Sequence, residues 1–242
     1  SLETDQKAIE KSLFVTYPSE WAAQSAIKHY GASKEKIFVL PFGANMDEIP
    51  DRAVALEHTK GTCCKLLFIG VNWKDKGGEL AYECLMELLK LGIDAELTVV
   101  GCTPPDQFKH IKLNVIPFLN KNKHNDFERL KSLWKDSTFL ILPTRIDAFG
   151  IVFCEAAAYG LPSLGTNTGG VAGALHDGKN GYLMPFDARG KEYAMQIANV
   201  FNDTNAYRNL VIKSRDEFEK ELNWDSWAGR VKEILKENNI FS

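Results

Sequence analysis

The chain has 242 residues, of which 45% are apolar and 25% charged, with a formal net charge of −3 at pH 7. These values suit one large or two small globular domains and exclude a disordered or low-complexity protein. Mild acidity argues against a nucleic-acid partner, though a local basic patch can still hold phosphate, and no apolar run is long enough to span a bilayer.

In chain order, residues 2–11 carry a helical pattern, "LFVTYP" (13–18) reads as a strand, 19–30 as a helix and "KIFVLPFG" (36–43) as a strand. Residues 1–45 thus make a β-α-β fragment with too few partners to form a core alone. Its opening on Ser1, inside a helical pattern, suggests a chain that begins within a longer protein. Residues 46–64, "MDEIPDRAVALEHTKGTCC", show no period and read as a linker.

From residue 65 short apolar runs alternate with amphipathic ones. "KLLFIG" (65–70) is a buried strand, and "GGELAYECLMELLKLG" follows as a helix with Leu80, Cys84, Leu88 and Leu91 on one face. "AELTVVG" (95–101) and "LNVIPF" (113–118) are strands; 125–136 is a helix with Asn125 or Asp126 as its cap; "TFLILPT" (138–144) is a strand closed by Pro143. A helix over 150–160, stopped by Gly160 and Pro162, precedes a strand-like "PSLGT". After a Gly-rich stretch the remainder reads as helical, over 189–201, 204–221 and 224–238. The alternation predicts an α/β fold with a doubly wound, Rossmann-like parallel sheet covered on both faces.

The cysteines (Cys63, Cys64, Cys84, Cys102, Cys154) show no paired spacing and suggest reduced thiols in a cytoplasmic protein. The histidines (His29, His58, His110, His124, His176) are scattered, so no metal site is expected. In an open parallel sheet, ligands bind at the carboxyl ends of the strands. Three loops with unusual chemistry fall there: "GVNWKDKGG" (70–78), with Gly70, Lys74 and Lys76; "PTRIDAFG" (143–150), with Arg145 and Asp147; and "GTNTGG" (165–170), ending in a Gly-Gly pair expected to be flexible.

Gly150 opens the next helix, leaving the amides of Gly150, Ile151 and Val152 free for an anion. The helix dipole is worth about 0.3–1 kcal/mol there, whereas one positioned charge contact is worth about 2.7–4 kcal/mol. Lys76 is therefore the expected main partner of a phosphate, with Lys74 and Arg145 behind it. Asp147 is as well explained by capping the helix or pairing with Arg145. Glu155, flanked by Phe153-Cys154 and Ala156-Ala157, should cost stability unless satisfied, or else lie on the wet stripe of its helix. His176-Asp177 reads as a polar turn, and Trp73 as either packing or a stacking platform in the lysine loop. No dinucleotide fingerprint, P-loop or nucleophile elbow is present.

"DAFGIVFCEAAAYGLPSLGTNTGGV" (147–171) resembles the donor-binding motif of the retaining group 1, family 4-like glycosyltransferases, with two acids separated by seven residues, Gly-Leu-Pro, a strand and Gly-Gly. "LLFIGVNWKDKGG" is similar to that family's first strand and Lys-Gly loop, and "KIFVLPFGAN" to the end of its N-terminal domain. The resemblance implies the C-terminal half of a GT-B fold. Residues 65–221 would be its nucleotide-sugar-binding domain, 1–45 a remnant of the acceptor domain, 46–64 the linker and 222–242 a helix returning towards the acceptor domain.

By the same resemblance Glu155 would read the ribose hydroxyls, Asp147 those of the transferred sugar, Lys76 the diphosphate, and the segment around Phe118 the base. Gly70, Lys74, Arg145, Phe149, Gly150, Ile151 and Val152 would complete the donor site, with Lys76 and Asp147 nearest the chemistry. Val71 stands where the family has arginine, so Lys74 or Arg145 takes over that charge or the site is weakened; Gly173 stands where an acid is usual. The implied reaction transfers a sugar from a nucleotide-diphosphate sugar to an unidentified acceptor, with retention and without a metal or other cofactor. The chain alone, lacking most of the acceptor domain, is expected to be inactive in transfer. The implied partners are the donor, a glycan or other acceptor, and the rest of the N-terminal domain, with no nucleic acid. The location is cytoplasmic, any peripheral membrane contact being made through the absent domain. Two other classes stay open: a non-catalytic nucleotide-sugar-binding module and a GT-B-type epimerase.

Overall fold

The computed structural model describes residues 2–58 and 60–238; Ser1, Thr59 and 239–242, which fall in the segments predicted over 1–45, 46–64 and 222–242, lie outside them. The chain begins with α1 (Leu2–Lys11), β1 (Val15–Tyr17), α2 (Glu20–Tyr30), β2 (Ile37–Val39) and a short α3 (Arg52–Ala55). It continues through β3 (Cys64–Ile69), α4 (Gly78–Lys90), β4 (Ala95–Val100), β5 (Leu113–Ile116), α5 (His124–Asp136) and β6 (Phe139–Leu142). Then come α6 (Ile151–Ala158), β7 (Ser163–Thr166), β8 (Gly181–Met184), α7 (Gly190–Phe201), α8 (Thr204–Lys220) and α9 (Trp224–Glu237).

Six strands form one parallel sheet in the order β5-β4-β3-β6-β7-β8. The chain builds outwards from β3 through β4 and β5, then returns to lay β6 on the other side of β3. That reversal opens a crevice at the carboxyl ends of β3 and β6, where an open α/β sheet takes its ligand. "FLIL" of β6 is buried at every position, as a parallel strand covered on both faces must be. Helix α4 packs on α7 and α6 on α8. Phe68, Phe139 and Phe153 are fully buried between these layers, each side chain worth about 1.5–3 kcal/mol relative to exposure.

Three expectations need correction, and of the two readings of Trp73 the packing one holds. Gly181–Met184, read as the end of a Gly-rich stretch without an element, is an edge strand; Gly181 lets it approach β7, because a Cβ there would collide with the Ser163 backbone. The segment 46–64 is not a free linker. It contains α3, whose Arg52 pairs with Asp216 and Glu219 of α8 at 2.6 and 2.5 Å, and its buried Ala55 lies against Gly160. Helix α5 starts at His124, and neither Asn125 nor Asp126 caps it; the Asp126 carboxylate instead accepts the Asn120 amide at 2.9 Å. Trp73 is a packing residue, 7% exposed and set between Phe68 and Phe108.

The N-terminal strands pair in parallel, Val15 opposite Ile37, beside α2, which Ser19 caps and Gly31 ends in the left-handed region. This unit is fastened to the larger sheet near the crevice. Phe42 packs edge-on to Phe149 and stacks on Trp224 at the start of α9, with ring centres 5.4 and 5.6 Å apart. The Ala44 amide donates to Leu222 O at 3.1 Å. No helix among the described residues is long and apolar enough to cross a membrane.

Candidate functional site

The crevice is built from the loops that follow β3 and β6. Gly70 ends β3 with its amide donated to Val100 O, and its missing side chain leaves room for the stem of Lys76, whose Cγ would lie 3.0 Å from a Cβ there. Gly77, at φ +75°, lets the same loop touch the next one, since a Cβ would collide with Pro143 O. The Arg145 amide donates to Asp75 O at 2.7 Å, and the Thr144 hydroxyl lies within hydrogen-bond distance of both Asp75 O and Ile146 O. These backbone bonds fix where Lys76 and Asp147 stand relative to one another.

Lys76 Nζ donates to Asp147 Oδ2 at 2.7 Å, with the two side chains 26% and 12% exposed. Asp147 Oδ1 accepts the Phe149 amide at 3.2 Å. Asp147 thus neither caps α6, whose N-cap Gly150 takes no side-chain bond, nor pairs with Arg145; it closes the preceding turn and its ionic partner is Lys76. Arg145 lies 3.7 Å over the Phe186 ring, away from the Lys76–Asp147 pair's bonding. Lys74 is exposed and has no ion-pair partner among the described residues. Val71, in the place of the family arginine, is 83% exposed.

Gly150 takes φ +85° at the start of α6, and the amides of Gly150, Ile151 and Val152 find no acceptor among the described residues. Three free donors on a helix terminus favour an anion there. Phe149 is buried, so it contributes packing rather than an open ligand surface; Phe118, in the loop after β5, is 70% exposed.

Glu155 is only 4% exposed, which settles it as a buried acid and not one on a wet stripe. Lys121, from the loop after β5, donates to its Oε1 at 2.9 Å. Burial pushes the Glu155 carboxyl above its ordinary range, and the Lys121 charge and hydrogen bond pull it part of the way back. Nothing in the sequence singles out Lys121; in "NKNKH" it is one of two lysines in a polar loop, and only the packing of that loop over α6 distinguishes it from Lys123.

The Gly169-Gly170 pair is not a flexible element. Side chains at these positions would collide with the carbonyls of Asp147 and Ala148, and the Gly170 amide donates to Asp147 O at 3.0 Å. The pair is a clamp on the Asp147 loop. Gly173 brings the N-terminal unit close, with Pro18 O within 2.8 Å of where its Cβ would lie. His176 does more than form a turn: its Nδ1 lies 2.7 Å from Glu217 and 3.7 Å from Glu221, a grouping of possible metal ligands that its position in the sequence did not suggest. Lys179 also reaches Glu217, at 3.4 Å.

A Rossmann-like parallel sheet with a lysine–aspartate pair and a free helix terminus at its switch point defines an α/β protein with an anion-suited crevice. The family model for glycosyl transferases group 1 matches residues 63–203, and the chain belongs to that family. Among curated relatives it is 23% identical to the D-inositol 3-phosphate glycosyltransferase of Paenarthrobacter aurescens, over 86% of this chain and 53% of that protein. It is 27% identical to glycogen synthase of Mycobacterium tuberculosis, over 70% of this chain and 42% of that protein. The chain spans about half the length of these relatives. Among solved structures, the Rickettsia africae glycosyltransferase superposes with a TM-score of 0.74 at 17% identity, covering 97% of this chain and 66% of that one. Anabaena HepE in complex with UDP superposes at 0.73 and 15%, covering 98% and 67%.

Proposed function

We propose that the chain is the donor-binding half of a retaining glycosyltransferase that transfers a sugar from a nucleotide-diphosphate sugar. The observation that carries this reading is the setting of the two acids on one β6–α6 unit, Asp147 held by Lys76 and Glu155 buried against Lys121, with three free amides between them. The diphosphate would rest on those amides and on Lys76. An ammonium has three protons to donate, so Lys76 can meet a phosphate oxygen while keeping Asp147. The bond from C1 of the sugar to the diphosphate then breaks as an acceptor hydroxyl oxygen bonds C1; the electron pair leaves on the phosphate, which takes the acceptor's proton, and Lys76 meets the growing charge. Asp147 would read hydroxyls of the transferred sugar, Glu155 those of the ribose, and the Phe118 segment the base, with Lys74, the exposed cation of the β3 loop, in the place of the family arginine. In this reading no metal or other cofactor is required.

Residues 1–45 fit the closing β-α-β of an acceptor domain, 46–64 the connection, and α9 the return towards that domain, which supports the stacking of Trp224 on Phe42 as the joint between halves. The acceptor itself would be read by sequence outside this chain, and transfer would need it. UDP in the HepE structure, and UDP with GlcNAc in that of the pneumococcal O-GlcNAc transferase GtfA, support a nucleotide-sugar donor. Calorimetry of this chain against UDP, GDP, ADP and their sugars should detect one binding nucleotide. Glu155→Gln should weaken that binding about tenfold, the scale of one charged hydrogen bond. Unchanged affinity in the variant removes Glu155 from the ribose, and no binding by any of the panel ends the proposal.

A further inference from the structure

The Glu155 site contains a partner that the reading above does not use. A carboxylate that reads two vicinal hydroxyls must be ionised, because only then are both oxygens pure acceptors. Glu155 sits on an otherwise apolar helix at 4% exposure, and burial disfavours the ionised form. Lys121 Nζ bonds Oε1 at 2.9 Å, while Oε2 has no hydrogen-bond partner among the described residues. One oxygen is therefore spoken for by a cation and the other is left open, on the side chain whose charge the site needs.

We infer that Lys121 is a positioning residue of the donor site, the counter-ion that keeps the buried Glu155 carboxylate charged and aims its second oxygen at the nucleoside hydroxyls. This rests on the ribose role of Glu155. Among the described residues no other charged group takes over the task. The neighbouring Cys154 thiol is held neutral by burial. Arg215 of α8 serves the far end of α6, donating to Ala158 O and pairing with Glu219. The Glu48–Lys131–Glu128 cluster on and beside α5 acts on Tyr159, and Asp126 is engaged with the Asn120 amide. Lys121 is half exposed, so its own charge costs little to keep.

Loss of Lys121 has a pH signature. Without it, burial acts on Glu155 unopposed, the carboxyl binds a proton at higher pH, and hydroxyl reading fails from the acid side upwards. The test measures affinity of this chain for the tightest binder among UDP-glucose, GDP-mannose and ADP-glucose, at several pH values from about 6 to about 8.5, a range in which buried glutamates are known to titrate. These doubly substituted diphosphates keep a constant charge over that range, so the ligand adds no slope of its own. Wild type should bind almost equally throughout. Lys121→Met should bind severalfold more weakly at the acid end and recover towards the alkaline end, because without the ammonium burial alone acts on the carboxyl and a larger share of it is protonated there. Lys121→Arg should restore the flat profile, and Lys121→Met combined with Glu155→Gln should abolish the slope. A flat profile at wild-type affinity in Lys121→Met overturns the inference, as does a loss of affinity equal at every pH. If Glu155→Gln alone binds as wild type, the ribose role has failed; if it binds weakly while Lys121→Met shows no slope, only the counter-ion role has failed.

Discussion

Lys76 and Asp147 form one contact that fixes two loops of the crevice against each other and, on the proposed function, would also face the diphosphate. Asp147 Oδ1 closes the turn before α6 and Oδ2 takes the lysine, so each oxygen has a protein partner and still a lone pair for a hydroxyl. The lysine's remaining protons are the reserve that a phosphate would draw on. In the full-length enzyme, Lys76→Ala should therefore lower turnover by roughly two to three decades, the usual cost of a transition-state charge contact. Near-normal kcat in steady-state assays would take Lys76 out of the mechanism. The place of both residues on the loops after β3 and β6 was legible in the sequence, and so was the free helix start at Gly150. The lysine on Glu155 was not, because Lys121 lies 34 positions away and reaches it from another strand's loop.

At the level of elements, glycines decide how tightly the loops of the site pack. Gly70 admits the Lys76 stem, Gly77 the contact between the β3 and β6 loops, and Gly170 the Asp147 loop. A methyl at Gly170 would drive into the Ala148 carbonyl, so the loop carrying Asp147 must shift. Gly170→Ala should cost roughly 1–3 kcal/mol in urea unfolding, as overpacking does, and donor affinity should fall with it. Full stability in the variant would show that the clamp yields freely. The Gly-Gly pair is plain in the sequence, but glycine marks both mobile turns and close approaches, and only the neighbour at hand tells them apart. Strand β8 escaped for a related reason: four residues in a Gly-rich context have too short a period to register, and their identity as a strand comes from β7 beside them.

Over the whole molecule, stability has a pH dependence set away from the crevice. His58, 5% exposed in the segment before β3, has an unpartnered Nε2, and burial lowers its pKa from 6.5 to about 4. The unfolded chain thus binds a proton that the folded one refuses. Stability is complete above the unfolded value and falls as pH drops from about 6.5 towards about 4, by up to about 3 kcal/mol. In His58→Leu the urea midpoint should lose this part of its acid slope; an unchanged slope would assign the effect to other groups. The same segment joins the two parts of the chain through α3 and its pairs with α8, which the sequence disguised as a linker because a four-residue helix has no readable period.

The sequence by itself determined the alternation of strands and helices, the parallel sheet and the loops at its carboxyl rim, because apolar period and turn residues act over a few neighbours. It also carried the family, through a run of 25 residues with two acids at fixed separation. Only the tertiary structure decided who partners whom: Lys76 with Asp147, Lys121 with Glu155, His176 with Glu217, Arg145 with Phe186. Charges and rings choose their neighbours across strands that are adjacent in space and distant along the chain, and that adjacency is created by the order in which the sheet is laid down.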